Sequence, residues 1–446
     1  MNFINPNTST CDLEDAGIPL GMDLATGDEV FLNLELLKTH LHVIGPTGTG
    51  KTRALLHLFR YLAQVPKATI VLIDPKGGLY ELARDHAMTH GLTKRLVLFD
   101  PQAQNVVCGY NPLFPNALPL GSHAKLVREG IEAAWGQSSM DFALTPQLHR
   151  FLYLTLFAAR ELELTLVEAL DLLRPGSAVR KAILPRLRDP HVKNALIYFD
   201  SLQERRQEEL AASTTARLEA FCLDPQVRRI FTTRQKALNL EEVIGNGQIL
   251  LVNLSKGRPL RRDDVHLIAR LLVNDVVNHV FERGPGRRTP VFLLIDECQN
   301  AATPDLCDAL DEGRELGLHC VLAHQFLAQI KEEERSGYLY HSVMNDCRTR
   351  IVFGGSAPED LEMLVPRMFL DRLNPWALKD EIKVPIFAPV ESTRIVRTTG
   401  RSRSHGRGLA LPYAEAEGES DTATYGITES ASHGTSESDS KAVTKG

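Results

Sequence analysis

The chain has 446 residues, a formal net charge of -6 at pH 7, 43% hydrophobic residues and 24% charged residues. This composition is typical of a globular protein with room for two or three domains, and the net charge excludes a uniformly basic nucleic-acid-binding protein. The seven scattered cysteines contain no C-x-x-C pair, so neither a zinc site nor a disulfide framework is indicated. Apolar runs fall short of the roughly 18 residues of a membrane helix, and no signal peptide is evident. We therefore expect a cytoplasmic protein.

The first 38 residues contain short apolar segments among Gly, Asn and Asp. Residues 18–22 read Ile-Pro-Leu-Gly-Met, and residues 29–32 read Glu-Val-Phe-Leu. Segments this short, bounded by turn residues, predict small strands or a hairpin. We therefore predict that residues 1–38 form a small strand segment that leads into the next domain.

A glycine-rich turn follows, placed between an apolar run at 41–44 and an amphipathic helix over 53–62. Its pattern, G-x-x-x-x-G-K-T, is that of a P-loop in the strand and helix context that the motif requires. The predicted nucleotide-binding residues are Gly45, Pro46, Thr47, Gly48, Thr49, Gly50, Lys51 and Thr52.

The residue types of this turn suit the binding of a nucleoside triphosphate. Glycines let the backbone N–H groups surround phosphate oxygens, and the positive end of the following helix dipole points at the same anion. Lys51 is predicted to reach the β- and γ-phosphates of ATP, and the Thr52 hydroxyl is predicted to hold Mg²⁺.

Strands and a helix alternate after the P-loop. Residues 68–74 and 95–101 are apolar runs ended by turn residues, and residues 79–90 between them have a helical pattern. This alternation predicts a doubly wound α/β sheet, in which ligands bind beyond the carboxyl ends of the strands. Asp74 and Lys76 lie at such an end, where a ligand role and a helix cap beside a solvated lysine are equally open.

The strand pattern stops between about residues 116 and 239, where helical periodicity predicts an inserted helical domain. Residues 174–236 carry thirteen Lys or Arg against seven Asp or Glu. The most prominent basic residues are Arg205, Arg206, Arg217, Arg228, Arg229 and Arg234. A solvated helical surface and a phosphate-contacting surface both explain this excess.

The sheet pattern resumes at 248–254, continues with a long helix over 262–283, and reaches an apolar strand at 290–295. Asp296 and Glu297 end that strand, which is the Walker B pattern of two carboxylates at the tip of a buried strand. Asp296 is predicted to bind Mg²⁺, and Glu297 to orient and deprotonate the attacking water. Two solvated acids at a strand end are the alternative, which the upstream P-loop disfavours.

Residues 318–325 have the pattern of a further core strand, which ends at Gln325, and residues 348–354 have the pattern of the next. A neutral amide can both donate and accept a hydrogen bond. Gln325 is therefore predicted to contact the γ-phosphate or the attacking water.

Hexameric ATPases commonly insert an arginine into the nucleotide site of the neighbouring subunit. Arg314 is the first candidate for this catalytic role, with Arg348 and Arg350 as alternatives. A surface ion pair explains any one of them equally well.

Beyond about Arg397 the composition changes to Ser, Thr, Gly and Glu, and residues 414–440 carry seven acids and no Lys or Arg. Such a segment buries too little apolar area to offset its chain entropy. We predict that residues 398–446 form a disordered acidic tail.

Together these motifs resemble the HerA and FtsK superfamily of P-loop ATPases, and most of all the TraG and TraD group of coupling proteins of conjugation and type IV secretion. The matching segments follow the order of the family over about residues 18–365. They are 40–52, 73–77, 110–113, 252–255, 294–297 and the strand that ends at Gln325.

The resemblance implies a RecA-like α/β domain with a mostly parallel central sheet over 39–115 and 240–397, and an all-α domain over 116–239. It also implies a homo-oligomer, a ring of six subunits, that uses ATP and Mg²⁺ to move DNA through its centre. The inserted domain would contact DNA or a relaxase or other DNA-processing protein bound to it.

Coupling proteins usually begin with membrane-spanning helices, a pattern that this sequence lacks. We therefore expect action in the cytoplasm, or at the periphery of the inner membrane through a partner subunit. Two other functions remain open at this point. One is a HerA-like helicase or resection motor loaded by a nuclease, and the other is a nucleotide-gated adaptor that recruits proteins without moving DNA.

Overall fold

The computed structural model of this chain describes most of its 446 residues. The described residues are 17–103, 109–114, 116, 118–135, 146–233, 237–256, 260–284, 289–333, 338–369, 393–400 and 420–427. The chain divides into two compact units, Met1–Phe369 and Leu370–Gly446. The first unit contains the P-loop and most of the described elements.

Strands and helices alternate through the first unit. The strands of the chain are β1 (Ile18–Met22), β2 (Glu29–Leu32), β3 (Leu41–Ile44), β4 (Thr69–Asp74), β5 (Leu96–Phe99), β6 (Ile249–Asn253), β7 (Val291–Ile295), β8 (Leu318–His324), β9 (Thr349–Val352), β10 (Thr393–Gly400) and β11 (Ser420–Ile427). The helices are α1 (Leu34–Leu37), α2 (Lys51–Leu62), α3 (Gly78–Thr89), α4 (Leu120–Trp135), α5 (Pro146–Glu161), α6 (Leu166–Asp171), α7 (Ala178–Ile183), α8 (Pro190–Ser201), α9 (Glu204–Leu223), α10 (Pro225–Phe231), α11 (Leu240–Gly245), α12 (Arg262–Glu282), α13 (Pro304–Asp311), α14 (Leu327–Glu333), α15 (Tyr338–Asp346) and α16 (Pro358–Phe369).

Seven strands form one parallel sheet in the order β5-β6-β4-β7-β8-β3-β9. Strand β8 lies between β7 and β3, with its Leu322 opposite Ile295 and its His324 opposite Ile44. Because parallel strands end at the same edge, the segments after β3, β4, β7 and β8 meet there. The α/β fold with a mostly parallel central sheet, expected from the sequence, is confirmed.

Both faces of the sheet are covered, which explains why its central strands are apolar throughout. Alternate residues of β4 enter different hydrophobic clusters. Ile70 and Leu72 pack in the cluster that holds the apolar faces of α2 and α3. Val71 and Ile73 pack in the cluster that holds α12 and the helices between β5 and β6. The sheet is therefore a fixed platform for the residues at its carboxyl edge.

The chain between β5 and β6 is helical, as its periodicity predicts, and contains α4 to α11 among the residues described. These helices pack against the sheet domain through α4, whose Gly130 lies against Leu271 and Asn274 of α12. An isolated bridge between Gly109 and Ala237 joins the two ends of the segment. The limits of a separate domain at 116–239 stay a prediction.

Arg180 shows that part of the basic excess in this helical segment is structural. Its guanidinium group is fully buried and donates hydrogen bonds to Asp200 Oδ1 at 2.8 Å and to Gln207 Oε1 at 2.7 Å. It also donates to the carbonyl oxygens of Leu172 and Arg174, at 2.7 and 2.8 Å. A buried charge with this many partners holds α7, α8 and α9 together.

The short apolar segments near the N-terminus form the expected hairpin, in which β1 and β2 pair antiparallel with Ile18 opposite Leu32. Both of these residues are buried in the cluster of α2 and α3. No helix in the described parts of the chain combines the length and the apolar character that crossing a bilayer requires.

In the second unit, β10 and β11 pair antiparallel with Thr393 opposite Ile427 and Gly400 opposite Ser420. The sequence of β10, Thr-Arg-Ile-Val-Arg-Thr-Thr-Gly, is rich in β-branched residues, which favour strands. This pairing falls partly within residues 398–446, where the composition predicts disorder. The rest of that segment lies outside the described residues, and the prediction for it stays a prediction.

Candidate functional site

The P-loop has the backbone conformation that phosphate binding requires. Gly48 and Gly50 have φ values of +84° and +113°, in the left-handed region that glycine tolerates best, and α2 begins at the next residue, Lys51. At Gly45 a Cβ atom would lie 2.5 Å from Cβ of Phe353, so a side chain there would collide with the segment after β9. The glycines of the motif are thus required by the turn itself and by close packing.

Lys51 is buried at the first position of α2, and its ammonium group donates hydrogen bonds to the carbonyl oxygens of Gly45 and, at 2.9 Å, Pro46. Burial lowers the pKa of Lys51, an effect that Glu297 opposes and Lys76 adds to. The acids and the second lysine are therefore close enough to act on the P-loop lysine electrostatically. Thr52 follows in the same helical turn and is partly buried.

The two acids after β7 are buried at the carboxyl edge, with 3% of Asp296 and 4% of Glu297 exposed. The carboxylate of Asp296 accepts a 3.0 Å hydrogen bond from the Glu297 backbone N–H. Burial and the neighbouring charges of Glu297 and Asp74 raise the pKa of Asp296 to about 6. A concentrated, buried negative charge of this kind is an environment that a divalent cation stabilises.

Glu297 adopts a left-handed backbone conformation with φ +49°, which is uncommon for a residue with a side chain. Its Oε1 accepts hydrogen bonds from Lys76 Nζ and, at 2.8 Å, from Gln325 Nε2. Its Oε2 accepts a 2.8 Å hydrogen bond from Gln299 Nε2. Burial alone would raise the pKa of Glu297, but these three donors bring it below its ordinary value. Glu297 is therefore held as a carboxylate.

Gln325 joins the P-loop to the acid pair. Its Oε1 accepts a 3.1 Å hydrogen bond from Thr47 Oγ1, while its Nε2 donates to Glu297. The sheet order explains this position, because Gln325 follows β8, which lies between the strands that carry the P-loop and the acids. The structure thus brings together Thr47, Lys51, Asp296, Glu297 and Gln325, all predicted from the sequence as site residues.

Asp74 and Lys76, whose roles the sequence left open, differ from one another. The carboxylate of Asp74 accepts hydrogen bonds from the backbone N–H groups of Lys76 at 2.8 Å and Tyr80 at 2.9 Å, so it fixes the start of α3. The Lys76 side chain crosses instead to Glu297 and forms an ion pair with it. Lys76 therefore belongs to the site, while Asp74 stabilises the backbone between β4 and α3 beside it.

Sequence reasoning did not single out Gln299, which is buried and holds the second carboxylate oxygen of Glu297. It lies in a single 3₁₀ turn, Cys298–Ala301, immediately after the acids. A polar Gln-Asn pair one residue beyond the Walker B acids is the signal that would have identified it. Its position two residues beyond Glu297 brings the amide back to the carboxylate.

The structure places Arg314 away from this site. Arg314 is exposed in the 3₁₀ turn Gly313–Leu316, which precedes β8 and so lies at the amino edge of the sheet, opposite the P-loop. Arg348 also precedes its strand, and Arg350 donates from Nη2 to the Met344 carbonyl oxygen at 2.5 Å. A contribution of any of these arginines to a neighbouring subunit stays a prediction.

Several of the arginines singled out in the helical segment are exposed. Arg205 and Arg206 both pair with Glu209, at 3.4 and 2.9 Å, and Arg228 and Arg229 lie exposed on α10. Arg217 donates hydrogen bonds to Ser213 in its own helix, and Arg234 lies outside the described residues. The exposed arginines of α9 and α10 are therefore among the basic residues of this segment that a phosphate backbone could reach.

Comparison with known families agrees with this geometry. A sequence profile of the helicase HerA central domain matches residues 18–276, which is more than half of the chain. A profile of the TraM recognition site of TraD and TraG matches residues 290–365. No curated protein is similar enough to this chain to count as a match.

Solved structures share the fold at low sequence identity. The bacterial conjugative coupling protein TrwBdeltaN70, in an unbound form, has a TM-score of 0.53 at 16% identity over 82% of this chain and 79% of its own. The plasmid coupling protein TrwB in complex with ADP and Mg²⁺ has a TM-score of 0.52 at 16% identity over 77% of this chain and 76% of its own. VirB4 of Thermoanaerobacter pseudethanolicus has a TM-score of 0.51 at 16% identity over 79% of this chain and 87% of its own.

These matches confirm the resemblance to the TraG and TraD group that the motifs indicated. The HerA profile spans β1 to β6 and most of α12, so it includes the P-loop, and the second profile includes both acids and Gln325. This chain therefore belongs to the family of the HerA helicase central domain, in the HerA and FtsK superfamily of P-loop NTPases.

Proposed function

We propose that this chain is an ATP-dependent DNA translocase, a motor of the coupling-protein kind that serves conjugative transfer or other mobile-element DNA. The observation that carries the proposal is the chain of hydrogen bonds from Thr47 through Gln325 to Glu297. It supports the proposal because it joins Glu297, the proposed general base, to the P-loop, and NTP hydrolysis requires both in one site.

ATP with Mg²⁺ is the ligand that the residues of this site fit. In the structure the Lys51 ammonium group bonds to carbonyl oxygens of its own loop, and phosphate oxygens can replace both acceptors. The Thr52 hydroxyl and the Asp296 carboxylate would hold the cation, whose charge also offsets the buried acids. When bound, Mg²⁺ neutralises charge that develops on the terminal phosphoryl group.

Glu297 and Gln325 are proposed to have different roles in hydrolysis. Glu297 is held as a carboxylate, so it can accept a proton from the attacking water. Gln325 can accept from that water through Oε1 and donate to the γ-phosphate through Nε2. Its bonds to Thr47 and Glu297 hold the amide between the P-loop and the carboxylate.

DNA contact is proposed for the exposed arginines of α9 and α10, which are Arg205, Arg206, Arg228 and Arg229. Arg205 and Arg206 lie among the exposed acids Glu204, Glu208 and Glu209, whereas α10, with Arg228 and Arg229, contains no acidic residue and is the more positive part of this surface. Such contacts carry no sequence preference and weaken with salt because phosphate binding releases counterions.

Assembly is proposed to follow that of coupling proteins, because the structures named above include a bacterial conjugative coupling protein. The working form is a homo-hexamer in the cytoplasm, which reaches the inner membrane only through a partner subunit. A relaxase or another DNA-processing protein delivers the DNA. Arg314, exposed at the amino edge of the sheet, is the candidate for contact with a neighbouring subunit.

The test is ATP hydrolysis measured with single-stranded and double-stranded DNA over a salt series, beside the mass of the assembly. Hydrolysis rises with DNA, and Lys51→Ala and Glu297→Gln abolish it. Glu297→Gln keeps nucleotide binding, because the P-loop is intact. A rate of ATP hydrolysis that does not change with DNA of any length or strandedness would instead favour a nucleotide-gated protein adaptor.

A HerA-like helicase or resection motor is the second candidate, favoured by the profile that spans residues 18–276. Unwinding of a partial duplex in the absence of a relaxase, with stimulation by a nuclease, would identify this activity. A coupling motor would respond to a relaxase bound to DNA instead.

A further inference from the structure

A cavity of about 540 Å³ opens at the carboxyl edge of the sheet beside the Glu297 carboxylate. Glu297 and Gln325 form part of its wall, and the P-loop residues 45–52 do not line it. Glu297 and Gln325 therefore connect the P-loop, through Thr47, to the lining of this cavity.

The cavity has a positive charge. Lys76, Lys256 and Arg262 line it, and each is exposed, whereas Glu297 is its one acidic lining residue among those described. Asp263 and Asp264 follow Arg262 in the first turn of α12, but neither lines the cavity. Three cations against one carboxylate favour an anionic ligand.

The remaining lining groups suit a nucleotide more than a bare anion. The ring of Phe326 is 41% exposed at the cavity, where a base can stack on it. Only 8% of Gln299 is exposed. Its side-chain oxygen Oε1 is a buried acceptor that receives no hydrogen bond from the described residues. Its Nε2 is used by Glu297, which leaves Oε1 for a base N–H group.

Lys76 connects this cavity to catalysis. Its side chain is 49% exposed, yet its ammonium group is an ion-pair partner of a carboxylate that is 5% exposed. An anion in the cavity competes for that ammonium group, while Gln299 and Gln325 still hold the carboxylate in place. Without the lysine charge, the carboxylate is a stronger base.

We propose that this cavity binds one nucleotide unit of a single DNA strand, whose phosphate draws Lys76 away from Glu297 and so makes hydrolysis depend on DNA. This inference rests on the proposed function, which requires DNA to stimulate hydrolysis but does not say where the strand is sensed.

Binding is measured by fluorescence anisotropy of a labelled oligothymidylate, without ATP, over a salt series. Lys256→Ala and Arg262→Ala each lower the slope of log affinity against log salt by about 0.7, the value for one phosphate contact of a single strand. Phe326→Ala weakens binding by about 5-fold or more, as expected for the loss of one stacked base. Lys94→Ala is the matched control, because Lys94 is exposed ahead of β5 at the opposite edge of the sheet.

Coupling is measured as ATP hydrolysis with and without the same oligothymidylate. Lys76→Met hydrolyses ATP at a rate that no longer depends on DNA and that approaches the stimulated rate of the natural chain. Lys76→Arg, which keeps the ion pair, retains stimulation. A lower rate of Lys76→Met both with and without DNA would show a structural role for the lysine and overturn the coupling.

Failure of this inference is distinct from failure of the proposed function. If the natural chain binds the strand and responds to it, but Lys256→Ala, Arg262→Ala and Phe326→Ala behave like Lys94→Ala, the strand is sensed elsewhere and the cavity proposal is wrong. If thymidine monophosphate or inorganic phosphate displaces the strand at equal concentration, the cavity is a site for free anions. A natural chain that neither binds the strand nor responds to it would overturn the translocase proposal as well.

Discussion

Gln325 donates a 2.8 Å hydrogen bond from Nε2 to Oε1 of Glu297, across the gap between two adjacent strands of the sheet. The same amide accepts from Thr47 of the P-loop. A change in the position of either partner is thus transmitted to the other through one side chain. The amide is the direct structural connection between the P-loop and the Glu297 carboxylate.

Gln325→Ala is expected to lower kcat for ATP by about 10²- to 10³-fold, the usual cost of removing one donor that acts in the transition state. The KM for ATP changes little, because the P-loop contacts remain. Steady-state kinetics measure both values. Gln64→Ala, an exposed glutamine on the surface after α2, is the control. A raised KM with unchanged kcat would show that the amide contributes to binding alone.

Asp296→Asn is expected to stabilise the chain in a metal-free buffer. The pKa of about 6 in the folded chain lies above the ordinary value of 3.8, so ionised Asp296 lowers the stability of the fold increasingly as pH rises through this window. Removal of the charge raises the free energy of unfolding at neutral pH by about 1–3 kcal/mol. Urea unfolding of the variant and of the natural chain, both in a buffer with EDTA, measures this difference in free energy.

The same variant is expected to bind Mg²⁺ more weakly, because it lacks the anionic ligand. The Mg²⁺ concentration for half-maximal hydrolysis rises by about 10-fold or more, comparable to other losses at metal sites. EDTA stops hydrolysis of the natural chain, and excess Mg²⁺ restores it. A variant that is less stable than the natural chain in EDTA, with unchanged Mg²⁺ dependence, would contradict a metal role for Asp296.

Arg180→Met is expected to lower the free energy of unfolding by about 3–5 kcal/mol, because it leaves the Asp200 carboxylate without its buried partner. Arg205→Met, at a side chain that is 90% exposed, changes it by about 1 kcal/mol or less. Urea unfolding at constant pH compares the two. Equal effects of the two substitutions would show that burial does not distinguish these arginines.

His319→Leu is expected to become more stable than the natural chain as pH falls. Burial, together with the nearby His40, lowers the pKa of His319 from 6.5 to about 4, so its neutral form is the stable one in the fold. The unfolded chain takes up this proton between pH 6.5 and about 4, and the natural chain loses stability over that window. The difference grows by up to about 1.4 kcal/mol per pH unit.

Urea unfolding of both chains across this pH window measures the difference. His191→Leu, at an exposed position on α8, is the control for the loss of a histidine in general. A difference between His319→Leu and the natural chain that stays constant with pH would contradict the expectation.

Local patterns were sufficient to predict the strands of the sheet. Apolar runs that end in turn residues predict β4, β6, β7 and β8, because a strand covered on both faces contains few polar residues. The P-loop is equally local, since the spacing of its glycines and Lys51 specifies the turn. For these features the local sequence is sufficient for the prediction.

Contacts between distant parts of the chain were not predictable in the same way. The ion pair of Lys76 with Glu297 requires β4 and β7 to be neighbours, and strand order has no local signature. Arg180 belongs to the basic excess by composition, but its burial depends on how three helices pack. Arg314 precedes β8, so its place at the amino end of that strand follows from the sequence, but its position relative to a neighbouring subunit depends on an assembly that the sequence does not specify.

The helical segment leaves the sheet after β5 and returns at β6, and these two strands are hydrogen-bonded neighbours. Its two stems are also joined where Gly109 meets Ala237. A module anchored at adjacent points can be exchanged for another of different length without altering the pairing of any strand. Such a replacement has one further requirement, which is an apolar surface to cover α12 where α4 now lies.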